Sequence, residues 1–190
     1  MNALTQPRLT LEAFLAWENE QPEKHEFHRG EVFAMGGARR AHGRTVSNLN
    51  RRLSEALDPS PCQVFAETMK VQIGDDTVLY PDIFVTCDTA DLRTDLIFRA
   101  PTLVIEVLSP STQAYARRAK FALYRRIPAL QEYILVDPDP DTRRVEAFRR
   151  GADNLWVLHD MSETDTLVAA SVDARVAMAD VFDPLADLAD

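Results

Sequence analysis

Two acids and one lysine are the residues from which chemistry can be argued. Glu106 stands inside Pro101-Thr102-Leu103-Val104-Ile105-Glu106-Val107-Leu108-Ser109-Pro110. That stretch reads as a strand with apolar residues on both sides of its alternation, so both of its faces are covered. An ionised carboxylate there costs several kcal/mol unless something compensates it, commonly a cation. Asp82, in Tyr80-Pro81-Asp82-Ile83-Phe84-Val85, is a second acid in an apolar stretch and shares a strand face with Phe84 and Thr86. Paired side by side, these strands bring two carboxylates together, which suits a hard cation such as Mg²⁺ or Mn²⁺ completed by carbonyls, waters and substrate phosphate. An Asp after Pro also ends turns and caps loops, and that reading stays open. Lys120 falls on the following helix, at the flank of its apolar side, where it can reach the end of the Glu106 strand or snorkel past the core. Two carboxylates, a cation and a lysine suit phosphodiester hydrolysis. The cation polarises the phosphoryl oxygen and activates a water, and the lysine steadies charge growing on the phosphorus centre.

The surrounding pattern supplies elements to hold these groups. Thr10 caps a short amphipathic helix over about 10–20, and His25 to Met35 alternates as a strand with a tight turn at Gly30-Glu31. A helix over 40–57 follows, with Val46, Leu49, Leu53 and Leu57 at helical spacing and its arginines facing away. Gln63–Ile73 and Val78–Thr86 read as two strands joined by a hairpin at Gly74-Asp75-Asp76. After the Glu106 strand, Ser111 or Thr112 caps a helix to about Ile127. Strands at 133–136 and 143–150 come next, then short strands and a loose acidic end. Glu132 is expected to face solvent. This order predicts an α/β fold in one domain over 1–190, a mixed sheet flanked by helices. Its parallel pair lies across the helix joining the Glu106 and Tyr133 strands.

Composition narrows the function class. The 190 residues are 46% hydrophobic, enough for a real core. No apolar run approaches the length that spans a bilayer, and no signal-peptide pattern opens the chain, so a cytoplasmic protein is expected. Cys62 and Cys87 form no metal pair, and reduced thiols are the expectation. The net charge of -9 argues against a general nucleic-acid binder, but it is concentrated from Asp153 onward. Bases cluster at Arg39, Arg40, Arg44, Arg51 and Arg52 and again from Arg117 to Arg126, which is either a basic face or a set of solvated helix faces.

Several segments together resemble the Uma family of bacterial proteins described as restriction endonucleases, part of the PD-(D/E)xK nuclease superfamily. They are Arg29-Gly30-Glu31-Val32, His42, Tyr80-Pro81-Asp82, Val104-Ile105-Glu106-Val107-Leu108-Ser109-Pro110-Ser111-Thr112, Lys120 with Tyr124, and Glu132-Tyr133-Ile134-Leu135-Val136-Asp137-Pro138. The resemblance covers about residues 9 to 185. It implies a restriction-endonuclease-like core and Mg²⁺-dependent cleavage of DNA. Asp82 and Glu106 become metal ligands, with the backbone carbonyl of Val107 a third. The superfamily motif places a lysine two residues after the glutamate, where this chain has Leu108, and Lys120 is similar to a migrated replacement. Glu31 and His42 match positions near such sites, with plain alternatives as a turn residue and a helix-surface imidazole. Relatives often carry an acid where this chain has Ala116. A homodimer follows by analogy, since duplex cleavage needs two sites. The competing reading is a nuclease-fold binding module with little activity that works through protein partners, motivated by the acidic C-terminal third and Ala116.

Overall fold

The computed structural model describes residues 8–37, 39–109, 113–162 and 164–183. Helix α1 (Leu11–Glu18) starts where the Thr10 hydroxyl accepts a hydrogen bond from the Ala13 amide at 3.2 Å. Strands β1 (His25–His28) and β2 (Glu31–Ala34) form a hairpin. Its turn residues Arg29 and Gly30 both have positive φ, 49° and 88°. Gly30 suits this place doubly, because a Cβ would come within 3.0 Å of the Arg8 side chain. Helix α2 (Arg40–Leu57) buries Val46, Leu49, Leu53 and Leu57, as its spacing predicts.

The next segment departs from expectation in an instructive way. The two predicted strands are four: β3 (Gln63–Ala66), β4 (Lys70–Ile73), β5 (Thr77–Leu79) and β6 (Ile83–Thr86). The chain leaves one sheet after β3, where Glu67 takes φ 55°, and returns to it after β5, through Tyr80-Pro81-Asp82. Pro81 has no N–H to give a ladder, so a strand breaks there at little cost. A three-residue 3-10 turn (Asp91–Arg93), β7 (Ile97–Phe98) and β8 (Leu103–Val107) follow. The helix after β8 is composite: α3 (Gln113–Tyr115), a π-helical turn (Ala116–Lys120) and α4 (Phe121–Tyr124). It ends three residues before the predicted Ile127. The expected caps Ser111 and Thr112 lie outside the described residues. The chain continues with β9 (Glu132–Asp137), β10 (Arg144–Arg150), β11 (Trp156–Asp160), β12 (Thr166–Ala169), β13 (Ala174–Ala177) and α5 (Met178–Val181). β13 and α5 stand where only a loose end was expected.

The result is a mixed α/β fold. A six-stranded sheet runs β11-β10-β9-β8-β6-β3, a five-stranded sheet runs β2-β1-β5-β4-β7, and β12-β13 form a separate hairpin. β8 and β9 are parallel, joined by the composite helix as predicted, while β6 and β8 are antiparallel with Ile83 opposite Ile105. One face of the larger sheet, with Ile83, Val85, Leu103 and Ile105, packs on α2 and the small hairpin. The other, with Phe84, Val104 and Tyr133, packs on Tyr124 and Ile127 and on Val71, Ile73 and Leu79 of the smaller sheet. No helix among the described residues is long and apolar enough to cross a membrane.

Two sequence expectations are corrected. Cys62 and Cys87 are not free thiols but a disulfide, with Cα atoms 4.1 Å apart. The reason is register: Gln63 pairs with Thr86, so the next residues outward face each other at the sheet edge, a proximity that 25 residues of separation conceal. Glu132 does not face solvent; it is fully buried. Its carboxylate accepts from Arg149 Nε at 2.8 Å and from the Ser171 amide at 2.9 Å, while Arg149 also donates to the Val168 carbonyl. This pair fastens the β12–β13 hairpin to the large sheet. Arg149→Met is expected to destabilise the protein by about 2–3 kcal/mol, because it leaves a buried charge unpaired. Adding Glu132→Gln should recover most of that loss in urea unfolding.

Candidate active site

The crossing at Tyr80-Pro81-Asp82 decides where the site lies. Ile83 pairs with Ile105, so Asp82 and Glu106 sit one step further along, side by side on adjacent antiparallel strands. Alternation puts Glu106 on the same face as Val104, the face covered by the composite helix and the smaller sheet. Asp82 is held there by residues distant in the chain: its Oδ2 accepts the Val107 amide at 2.7 Å and lies 3.3 Å from His42 Nε2. His42 reaches it from the first turn of α2.

Lys120 comes to the same point through the π-helical turn. One extra residue in a helical turn swings the following side chains away from the usual α positions, and such turns recur at functional sites. Lys120 Nζ lies 3.0 and 3.1 Å from the two oxygens of Glu106 and 3.0 Å from Glu26 Oε1. The lysine therefore joins β8 of one sheet to β1 of the other. Glu26, Glu106 and Lys120 are all buried, at 1%, 4% and 8% exposure. Tyr115 adds a hydroxyl 3.5 Å from Glu26, and its ring lies 6.0 Å from the lysine nitrogen.

The electrostatics follow from this crowding. Burial, with the charges of Asp82 and Glu26, pushes the Glu106 carboxyl up to about 8 even though Lys120 pulls the other way. Burial disfavours the Lys120 charge, but Glu106, Glu26 and Asp82 outweigh it and hold the ammonium above its ordinary value. Burial also opposes the His42 charge, yet the Asp82 hydrogen bond and the charges of Asp82, Glu67 and Glu106 raise its pKa. The pocket holds more acid than base, and Glu106 bears that excess.

A further layer fixes the frame. Glu18, buried at the end of α1, accepts from the His25 amide at 2.8 Å and from the Tyr80 hydroxyl at 2.8 Å, and meets His25 Nδ1 at 3.0 Å. His25 and Tyr80 flank Glu26 and Asp82 in the chain, so one carboxylate registers both strands. Beside His42 opens a cleft of about 440 Å³, lined also by Arg39, Leu108, Ser109, Gln113 and Asp137.

Of the residues singled out from sequence, Asp82, Glu106, Lys120 and His42 come together. Val107 contributes its amide to Asp82. Glu31 does not join them. It opens β2, the outer strand of the smaller sheet, with its side chain half exposed and Arg8 3.8 Å away. Ala116 leaves Lys120 no acid on its own helix, but the lysine has two orienting carboxylates from strands. Glu26 was missed. Its one signal is an acid alternating with Phe27 in a short strand, which is common on half-exposed hairpins. Only the pairing of β1 with β2 and β5 on either side marks it as interior.

Known proteins bear on this arrangement. A crystal structure titled a "putative nuclease belonging to DUF820", from Anabaena variabilis ATCC 29413, superposes with a TM-score of 0.73, covering 92% of this chain and 97% of that one at 22% identity, and so shares the fold. Two uncharacterized proteins of Synechocystis sp. (strain ATCC 27184 / PCC 6803 / Kazusa) are similar along most of their length. slr1290 is 34% identical over 95% of this chain and 94% of its own, and sll1609 is 32% identical over 80% and 87%. The model of the family described as "Uma2: Putative restriction endonuclease" matches residues 11–178, and the chain belongs to that family.

Proposed function

We propose that this protein is a metal-dependent endonuclease that hydrolyses phosphodiester bonds of DNA, with Mg²⁺ or Mn²⁺ held by Asp82 and Glu106. The observation that carries this reading is the side-by-side placement of those two carboxylates with Lys120 at hydrogen-bond distance. The donor set fits such an ion: three acids share a buried pocket with one lysine, and Glu106 is left undercompensated in a way that a divalent charge would relieve. Among the described residues no three acidic or imidazole side chains stand ready to hold an ion by themselves. Mg²⁺ characteristically takes one or two carboxylates and fills its shell with waters, carbonyls and substrate oxygens, and the Val107 carbonyl is a candidate for that role.

A bound cation would supply Lewis acidity toward the phosphoryl oxygen and a more acidic water. The chain's own residues do the rest. Lys120 keeps a full positive charge beside Glu106, where it steadies negative charge gathering on the phosphate. Glu26 anchors the lysine from the other side and limits its swing. The Asp82 carboxylate is orientated by the Val107 amide and His42, which spares it the entropy of finding its pose. Cutting both strands of a duplex calls for two such centres, hence a homodimer.

The test is plasmid cleavage titrated with Mg²⁺ and Mn²⁺, alongside calorimetry of Mn²⁺ binding. Cation-dependent nicking is the expected result. No cation affinity and no nicking would leave the fold in place as a binding module.

A further inference from the structure

The charge map contains a feature that the catalytic pocket does not use. From Val32 to Ser54 the chain has five arginines and no acid, while the remainder carries 16 bases against 30 acids. The arginines concentrate on α2. At 100° per residue Arg40, Arg44, Ser47 and Arg51 fall within an arc of about 60°, and all four are exposed. Arg52, on another side of the helix, is already paired with Glu55 and Asp180. Arg39, Arg40, Arg44 and Arg51 form no ion pair among the described residues, whereas half of the other fourteen arginines do. What sets these four apart is that they follow one helix through a stretch of chain with no acid.

The stripe also connects to the site. Gly43 falls between Arg40 and Arg39 around the helix, and a Cβ placed on it would meet nothing within 4 Å. Gly36 and Gly37, just before the helix, are equally open. Arg39 in turn lines the cleft that His42 shares. An unobstructed basic path therefore runs from the cleft onto the outer face of α2. From Arg40 to Arg51 it measures about 16 Å at the helical rise, long enough to follow several phosphates of one strand.

We propose that the exposed face of α2, formed by Arg40, Arg44 and Arg51 with Arg39 at its head, is the surface that holds the phosphate backbone of the nucleic-acid substrate. This rests on the nuclease reading and adds to it the surface by which an acidic protein grips a polyanion. The stretch from Val32 to Ser54 that carries these arginines has no acid of its own, and the acids elsewhere repel the duplex from the wrong faces. Contacts of this type position the substrate without reading its sequence.

The experiment measures binding of a short labelled DNA duplex by fluorescence anisotropy, in EDTA, over a series of NaCl concentrations. The wild type is compared with Arg40→Gln/Arg44→Gln/Arg51→Gln and with a control, Arg93→Gln/Arg175→Gln. Each phosphate contact contributes about 0.9 to the slope of log affinity against log salt. The triple variant should therefore lose roughly 2–3 units of slope and bind about tenfold or more weakly, while the control matches the wild type. An unchanged slope in the triple variant, an equal loss in the control, or a wild type that does not bind duplex overturns the inference. Cleavage by the same wild-type protein separates the two readings. Nicking with an unchanged triple-variant slope removes the stripe and keeps the nuclease; a slope loss without nicking keeps the stripe and removes the nuclease.

Discussion

Glu106→Gln is expected to lower cation-dependent DNA cleavage by roughly a thousandfold or more while leaving the protein at least as stable as the wild type near neutral pH. The two halves of this result have one cause. Burial and two neighbouring acids already favour the neutral carboxyl, so a neutral amide of the same shape removes an unfavourable charge from the fold. It also removes the charge that would balance a cation. Loss of function without loss of stability distinguishes a ligand from a structural acid. Asp82→Asn should behave similarly, since the amide oxygen can still accept from Val107. Glu31→Gln, on the open edge of β2, should leave cleavage unchanged. Equal nicking by wild type and Glu106→Gln would remove Glu106 from the mechanism.

Lys120→Met has the opposite signature. It leaves the acids of both sheets facing each other without a cation, and breaking a buried ion pair in this way costs about 3–5 kcal/mol. The loss should depend on pH. In the wild type, Glu106 has its folded pKa raised from 4.5 to about 8, so it binds more protons folded than unfolded. Its effect on stability is therefore unfavourable above about 4.5 and grows until about 8. Lys120 has its pKa raised, so its favourable contribution is complete below the ordinary lysine value of 10.5 and constant across this window. Removing the lysine raises the Glu106 pKa further, so wild type and variant lose stability in parallel up to about 8, and the gap between them should widen above it, where Glu106 ionises in the folded wild type alone. Urea midpoints at several pH values measure it. A gap that is small, or that does not widen above pH 8, would mean that Lys120 does not neutralise this pocket. Adding Glu106→Gln to Lys120→Met should restore much of the stability and none of the cleavage.

Much of this was legible in the chain of residues. Glu106 was identifiable because a charged group in an apolar strand demands a partner, and that demand is local. The helices α1 and α2, the parallel β8–β9 pair and the proximity of Lys120 to β8 follow from periodicity and short connections, which sequence records directly. Asp82 was identifiable only conditionally, since its meaning depended on which strand lay beside it.

What tertiary structure alone decided concerns contacts between distant segments. Residues 63–86 read as one long hairpin, because alternation is blind to which sheet a strand joins. The positive φ at Glu67 and the missing donor at Pro81 split it between two sheets and put Asp82 at the crossing. Glu26 carried no mark and Glu132 was expected to face solvent, because the burial of each depends on a partner strand far away in the chain, β5 for β1 and β8 for β9. The Cys62–Cys87 bond was concealed for the same reason. Residue types and spacing determined which groups here can do chemistry, because charge and periodicity are local properties. Folding determined which of them meet, because desolvation and charge compensation belong to the space between strands.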